Sequence, residues 1–169
     1  NDGWDMMIAF PPCTYLTVSG AMWYYHPDDK NLPYEQRRPH PKHPYRRKYQ
    51  RKALDFVQTL LDADIERIAL ENPVGVISTK IKKPTQIIQP YDFGHSTSKK
   101  TCLWLKGLPE LKATNIVDPE WVYLPNNTRM SKFHHETFSL PKDERSKIRS
   151  KTFSGIAKAM ADQWGRYDR

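Results

Sequence analysis

With 169 residues, 38% of them hydrophobic, the chain suffices for one packed domain and falls short of two ordinary ones. Its apolar runs, such as Met6 to Pro12 and Leu103 to Leu105, are too short for a membrane-spanning helix of roughly 20 residues. A formal charge of +8 and a pI near 9.5 favour a polyanionic partner, while two cysteines, Cys13 and Cys102, make no disulfide framework and suit a reducing cytoplasm.

In chain order, Asp5 to Phe10 reads as a short buried strand, its consecutive apolar residues stopped by Pro11 and Pro12. The stretch from Gly20 to Pro44 is loop-like, because Pro27, Pro33, Pro39, Pro41 and Pro44 remove backbone donors. A helix is expected from near Pro44 to about Ala63, with Ala53, Phe56, Val57, Leu60 and Leu61 on one buried face. A second strand, Ile65 to Leu70, runs into Glu71-Asn72-Pro73. Strand, helix and strand of this kind predict a right-handed βαβ unit in a parallel sheet, whose ligands gather at the carboxyl ends of the strands. Those ends carry Cys13 and Glu71, which the topology brings to one edge. Thr101 to Leu105 is a third strand candidate, Leu108 to Asn127 is irregular, and a C-terminal helix spans about Gly155 to Trp164 with Ile156, Met160 and Trp164 on one side.

A thiol is only a few per cent ionised at neutral pH, so a nucleophilic cysteine needs an exposed, electropositive setting. Cys13, at the sharp end of a strand after two prolines, is such a candidate; the alternative is a small core residue. Activating a cytosine ring at carbon 6 requires a thiolate against its face and a carboxyl group at N3. Phe10-Pro11-Pro12-Cys13, followed one βα unit later by Glu71-Asn72-Pro73-Val74, is similar to the Pro-Cys and Glu-Asn-Val motifs of DNA cytosine-5 methyltransferases, in the same order. The wider stretches Trp4 to Gly20, Ile68 to Gly107 and Lys151 to Gly165 resemble the compact, phage-type members of that family.

The resemblance implies that Cys13 attacks carbon 6, Glu71 hydrogen-bonds N3 and the 4-amino group, and Asn72 fixes the loop carrying Glu71. It implies a Rossmann-like methyltransferase core, α/β with a mostly parallel sheet, and S-adenosylmethionine as cofactor, with Pro11 and Pro12 beside it. The family's Gly-rich cofactor loop has no counterpart among the seven glycines, so the core is expected to lack its first strands and the chain to begin inside a larger gene product. Phe93 to Lys100 resembles the family's Gln-x-Arg-x-Arg region; Lys99 or Lys100 would then hold the flipped nucleotide or its phosphate, the other reading being two solvated lysines on a turn. Gly155-Ile156-Ala157 resembles the final family motif without its asparagine.

Residues 36 to 54 hold Arg37, Arg38, Lys42, Arg46, Arg47, Lys48, Arg51 and Lys52, interleaved with aromatic residues and with no acidic residue before Asp55. Such a stretch suits phosphate contacts with some stacking, or else is a solvated face. Amino-group methyltransferases are disfavoured by Phe10 and Cys13 at the ends of the Pro-Pro pair, and zinc deaminases by the wide separation of the cysteines. No metal site is expected. The expected organisation is a catalytic core over 1–107 with a basic loop at 20–44, a variable region over 108–150 suited to target recognition, and a C-terminal segment, 151–169, packed back on the core. The function expected is DNA cytosine-5 methylation in the cytoplasm, of the host if phage-encoded. The alternative is a DNA-binding regulator with that fold and no catalysis.

Overall fold

The computed structural model describes residues 3–165; the chain start at Asn1 and the end of the expected 151–169 segment lie outside them. Strand β1 (Met6–Ala9) ends where Phe10-Pro11-Pro12 ends the apolar run. Short 3-10 turns at Val18–Tyr24, Pro27–Asp29 and Tyr34–Gln36 then occupy the proline-rich stretch. Helix α1 (Arg46–Leu61) follows, close to its expected span. Its inward face is Ala53, Leu54, Val57, Leu60 and Leu61, packed with Ala9, Leu16, Leu70 and Trp104. Val57 is fully buried, which contributes about 1.5–3 kcal/mol. Phe56, expected on this face, instead stands half in solvent, because the helical turn gives the inner position to Leu54.

Strand β2 (Arg67–Pro73) lies parallel to β1, in register from Met6 opposite Arg67 to Ala9 opposite Leu70. After the one-turn helix α2 (Ile77–Lys80) come β3 (Gln86–Ile88) and β4 (Thr101–Lys106). The four strands form one sheet in the order β1-β2-β4-β3. The expectation of a mostly parallel sheet is corrected here: β4 runs antiparallel to β2 through six pairs, from Ile68 opposite Lys106 to Pro73 opposite Thr101. Bringing β4 back parallel would take a crossover of a dozen or more residues, usually a helix, and between β2 and β4 the longest helix is the four-residue α2. The architecture is mixed α/β with a mixed sheet.

Two compact units result, and they do not follow chain order. One contains the residues up to Gln86 with Thr101–Leu108; the other contains Ile87–Lys100 and the residues from Pro109 on. The segment 87–100 thus parts from the expected 1–107 core. The reason is a set of backbone bonds: Thr114 N–H and Asn115 N–H donate to Asp92 O at 3.1 and 3.2 Å, and Val117 N–H to Tyr91 O at 2.9 Å. The second unit also holds the hairpin of β5 (Trp121–Tyr123) and β6 (Arg129–Ser131), the helices α3 (Lys132–Glu136) and α4 (Lys142–Ser150), and helix α5 (Ser154–Trp164). Helix α5 buries Ile156, Ala159, Met160 and Trp164, and the Trp164 indole donates to Pro109 O at 3.0 Å. Gly155 tolerates no side chain, since a Cβ there would run into the carbonyl of Phe93; its N–H donates to His95 Nε2 at 2.9 Å. The described part of the C-terminal segment, up to 165, therefore packs on 93–95 and 109–112 within this unit.

Candidate active site

The parallel pairing of β1 and β2 carries Pro11-Pro12-Cys13 and Glu71-Asn72-Pro73 to the same edge of the first unit. Ala9 pairs with Leu70, and two further residues on each strand bring Pro11 beside Asn72. There the two motifs are bonded: Asn72, 1% exposed, donates from Nδ2 to the Pro11 carbonyl at 2.8 Å. Its Oδ1 is buried and finds no hydrogen-bond partner. Successive strand residues face opposite ways, so Asn72 shares the face of Leu70, toward the α1 core, and Glu71 takes the other face. Glu71 and Cys13 are both half-buried, within reach of solvent.

Beyond Cys13 the chain folds into a tight turn, its carbonyl accepting from Leu16 N–H at 2.9 Å and Thr17 N–H at 3.2 Å. This turn lies against the loop that follows Glu71-Asn72-Pro73: Val76 N–H donates to Leu16 O at 2.8 Å, and Thr17 bridges Gly75. Gly75 is required by this approach, because a Cβ would collide with the Leu16 carbonyl. In the sequence Gly75 reads as an isolated glycine, although its place two residues after Pro73 marks a loop beside the motif.

The helix α1 arginines secure the same turn from the other side. Arg46 donates from Nη2 to Thr14 O at 3.0 Å, and its guanidinium lies 4.9 Å from the Tyr24 ring centroid and 5.2 Å from that of Tyr15. Gln50 Nε2 donates to Tyr15 O at 3.1 Å. Burial pushes the Tyr24 hydroxyl above its usual range, with Arg46 opposing. Arg47 bonds Tyr24 O at 3.0 Å and Arg37 O at 2.9 Å, and Arg37 bonds Leu32 O and Lys30 O at 2.7 and 3.0 Å. Arg38 clasps the buried Asp29, whose carboxyl is held down to about 2 by hydrogen bonds from the Arg38 side chain and backbone. Four of the cations read from the sequence as phosphate ligands, Arg37, Arg38, Arg46 and Arg47, are thus engaged in shaping the proline-rich segment. Lys48, Arg51 and Lys52 are exposed and share one helical stripe on the side of α1 away from its core.

No family model, curated protein or solved structure matches the chain. The site therefore rests on its own geometry. Lys99 and Lys100 belong to the second unit. There Lys99 Nζ donates to Arg149 O at 2.7 Å and lies over the Phe153 ring, while Lys100 is exposed. Lys99 is accordingly a packed, half-buried cation. Among the described residues no group of His, Cys, Asp and Glu is arranged to hold a metal ion, and no helix is long and apolar enough to cross a membrane.

The two residues suggested for S-adenosylmethionine differ in what they can offer it. Pro11 has no N–H, is buried, and has its carbonyl engaged by Asn72; Pro12 is exposed and also lacks a donor. Neither position offers such a cofactor a backbone hydrogen-bond donor.

Proposed function

We propose that the chain carries the cytosine-activating residues of a DNA cytosine-5 methyltransferase. The observation that supports this reading is the parallel β1–β2 edge, with Pro11 and Asn72 bonded to each other and Cys13 and Glu71 flanking them, both accessible. In the reaction assigned to these residues the Cys13 thiolate forms a bond to carbon 6 of an extruded cytosine. The C5–C6 double bond opens, and the Glu71 carboxyl proton passes to N3, so the ring accepts the electron pair without becoming an anion. Carbon 5 is now nucleophilic. In water it takes up a solvent proton; loss of its original proton, expulsion of the thiolate and return of the N3 proton to the Glu71 carboxylate then restore cytosine and both residues.

This cycle needs no methyl donor and is measurable on the chain as it stands. Single-stranded and duplex DNA tritiated at carbon 5 of cytosine should release tritium to water in its presence. Cys13→Ala should abolish release, and Glu71→Gln, which cannot deliver the proton, should slow it by roughly 10²–10⁴-fold. No release by the wild-type chain, or undiminished release by Cys13→Ala, overturns the assignment and leaves the non-catalytic binding protein.

A further inference from the structure

A cavity of about 290 Å³ opens beside the turn that follows Cys13, entirely within the first unit. Tyr24, Tyr25 and Tyr34 line it, with Arg37 and Lys80 among its walls. Its remaining lining includes Thr17 and Val76, two residues that lace the Cys13 turn to the loop after Asn72. The cavity therefore adjoins the turn after Cys13, and neither Cys13 nor Glu71 lines it.

The chemistry of the lining selects a flat, anionic ligand. Tyr25 and Tyr34 stand edge to face with ring centroids 6.5 Å apart, and the Tyr34 ring, held by the Arg47 guanidinium 4.9 Å from its centroid, remains 45% exposed. Arg37 lies 4.4 Å from the Tyr25 centroid, and its Nε and Nη2 are already held by the Leu32 and Lys30 carbonyls. That clamp fixes the guanidinium in place at no further ordering cost and keeps its charge in the wall. Lys80, exposed at the C-terminal end of α2, lies 5.9 Å from the Tyr34 centroid. The volume is at the lower limit for ligand pockets and admits one planar ring system, not two.

We infer that this cavity is a second base-binding pocket. It stacks one unstacked nucleobase of a DNA strand on Tyr34, while Arg37 and Lys80 meet the adjoining phosphate. The inference rests on DNA as the partner in the proposed function, and it assigns to that partner a nucleotide other than the reacting cytosine. Stacking on an aromatic side chain tolerates any base, so the pocket grips the strand beside the target without reading its sequence.

The test is equilibrium binding of the full chain to two fluorescently labelled probes of equal length and charge. One is a single-stranded oligothymidine, which has no cytosine to fill the catalytic edge; the other is the same phosphodiester chain with abasic sugars. The wild-type chain should bind the oligothymidine about tenfold more tightly, the scale of one stacked base. Tyr34→Ala should erase that preference with no change in the salt dependence of binding, and Tyr34→Phe, which keeps the ring, should preserve it. Because Tyr34 is so exposed, the substitutions leave the core intact, which circular dichroism verifies. Equal binding of both probes by the wild type, or a preference that survives in Tyr34→Ala, overturns the inference. Base preference needs no turnover: if it is present without tritium release, the pocket stands and the cytosine chemistry falls, and the converse result separates them the other way.

Discussion

Replacing Asn72 tests the bond that joins the two motifs. In Asn72→Ala the Pro11 carbonyl, buried beside it, is left without a donor, which costs about 1–3 kcal/mol. The same substitution removes Oδ1, itself buried without a partner, and recovers a penalty of similar size. The net loss should be small, about 0–2 kcal/mol. Asn72→Asp is nearly the same shape and should be far worse at pH 7. It sets an acceptor against the Pro11 carbonyl and leaves an uncompensated buried charge, at a cost of about 3–5 kcal/mol. Protonation restores an O–H donor to Pro11, so the folded state raises the pKa of this new carboxyl. Its stability contribution is then present below the unfolded value, near 3.9, and is lost as pH rises through the folded value. Urea midpoints at pH 7 and pH 5, each compared with wild type at the same pH and with unchanged slope, measure both effects. An Asp variant as stable as the Ala variant at pH 7, or a deficit that does not narrow at pH 5, would show that the amide is not donating to Pro11.

The cations of α1 should separate into two classes. Removing Lys48, Arg51 and Lys52 together should flatten the salt dependence of DNA binding by roughly 0.9 in log-log slope for each duplex phosphate no longer neutralised, with the urea midpoint unchanged. Arg46→Ala should instead lower the unfolding free energy by about 1–3 kcal/mol, read as a lower urea midpoint, because it abandons the Thr14 carbonyl and two ring faces. Buried His40 provides a pH signature: burial, then the neighbouring charges of His43, His26 and Lys42, hold its pKa below the ordinary 6.5. The unfolded chain therefore binds the proton more readily, so this contribution is complete above about pH 6.5 and fades as pH falls toward the folded value. Urea midpoints from pH 8 to pH 5 should decline less steeply in His40→Gln than in wild type.

Local pattern explains what could be read in advance. The apolar run before Pro11 and the helical spacing after Pro44 put β1 and α1 close to where they lie, while the run before Glu71, expected over Ile65 to Leu70, marks a strand that is buried on both faces and continues to Pro73. The direction of β4 left no such trace, since Thr101–Lys106 is buried over most of its length and reads the same whichever way it runs. Phe56 and Leu54 adjoin the same helical face, and only the neighbouring β-sheet decides between them. The arginines mislead for a different reason. A cation reads as solvated or phosphate-bound until its acceptor is known, and the acceptor of Arg46 is a backbone carbonyl 32 residues away.

Pro11 supplies the carbonyl and Asn72 the amide, and Gly75 provides the space that lets the two loops meet. These are mechanical duties, and they account for three of the recognisable residues without any chemistry. Cys13 and Glu71 are the positions that this lacing does not explain: both are half-buried and accessible, one at the end of a constrained turn and the other on the strand face opposite the core. Tritium release therefore probes what the geometry leaves over, because losing Cys13 should remove the exchange while the Asn72–Pro11 bond, and the urea midpoint it supports, persist.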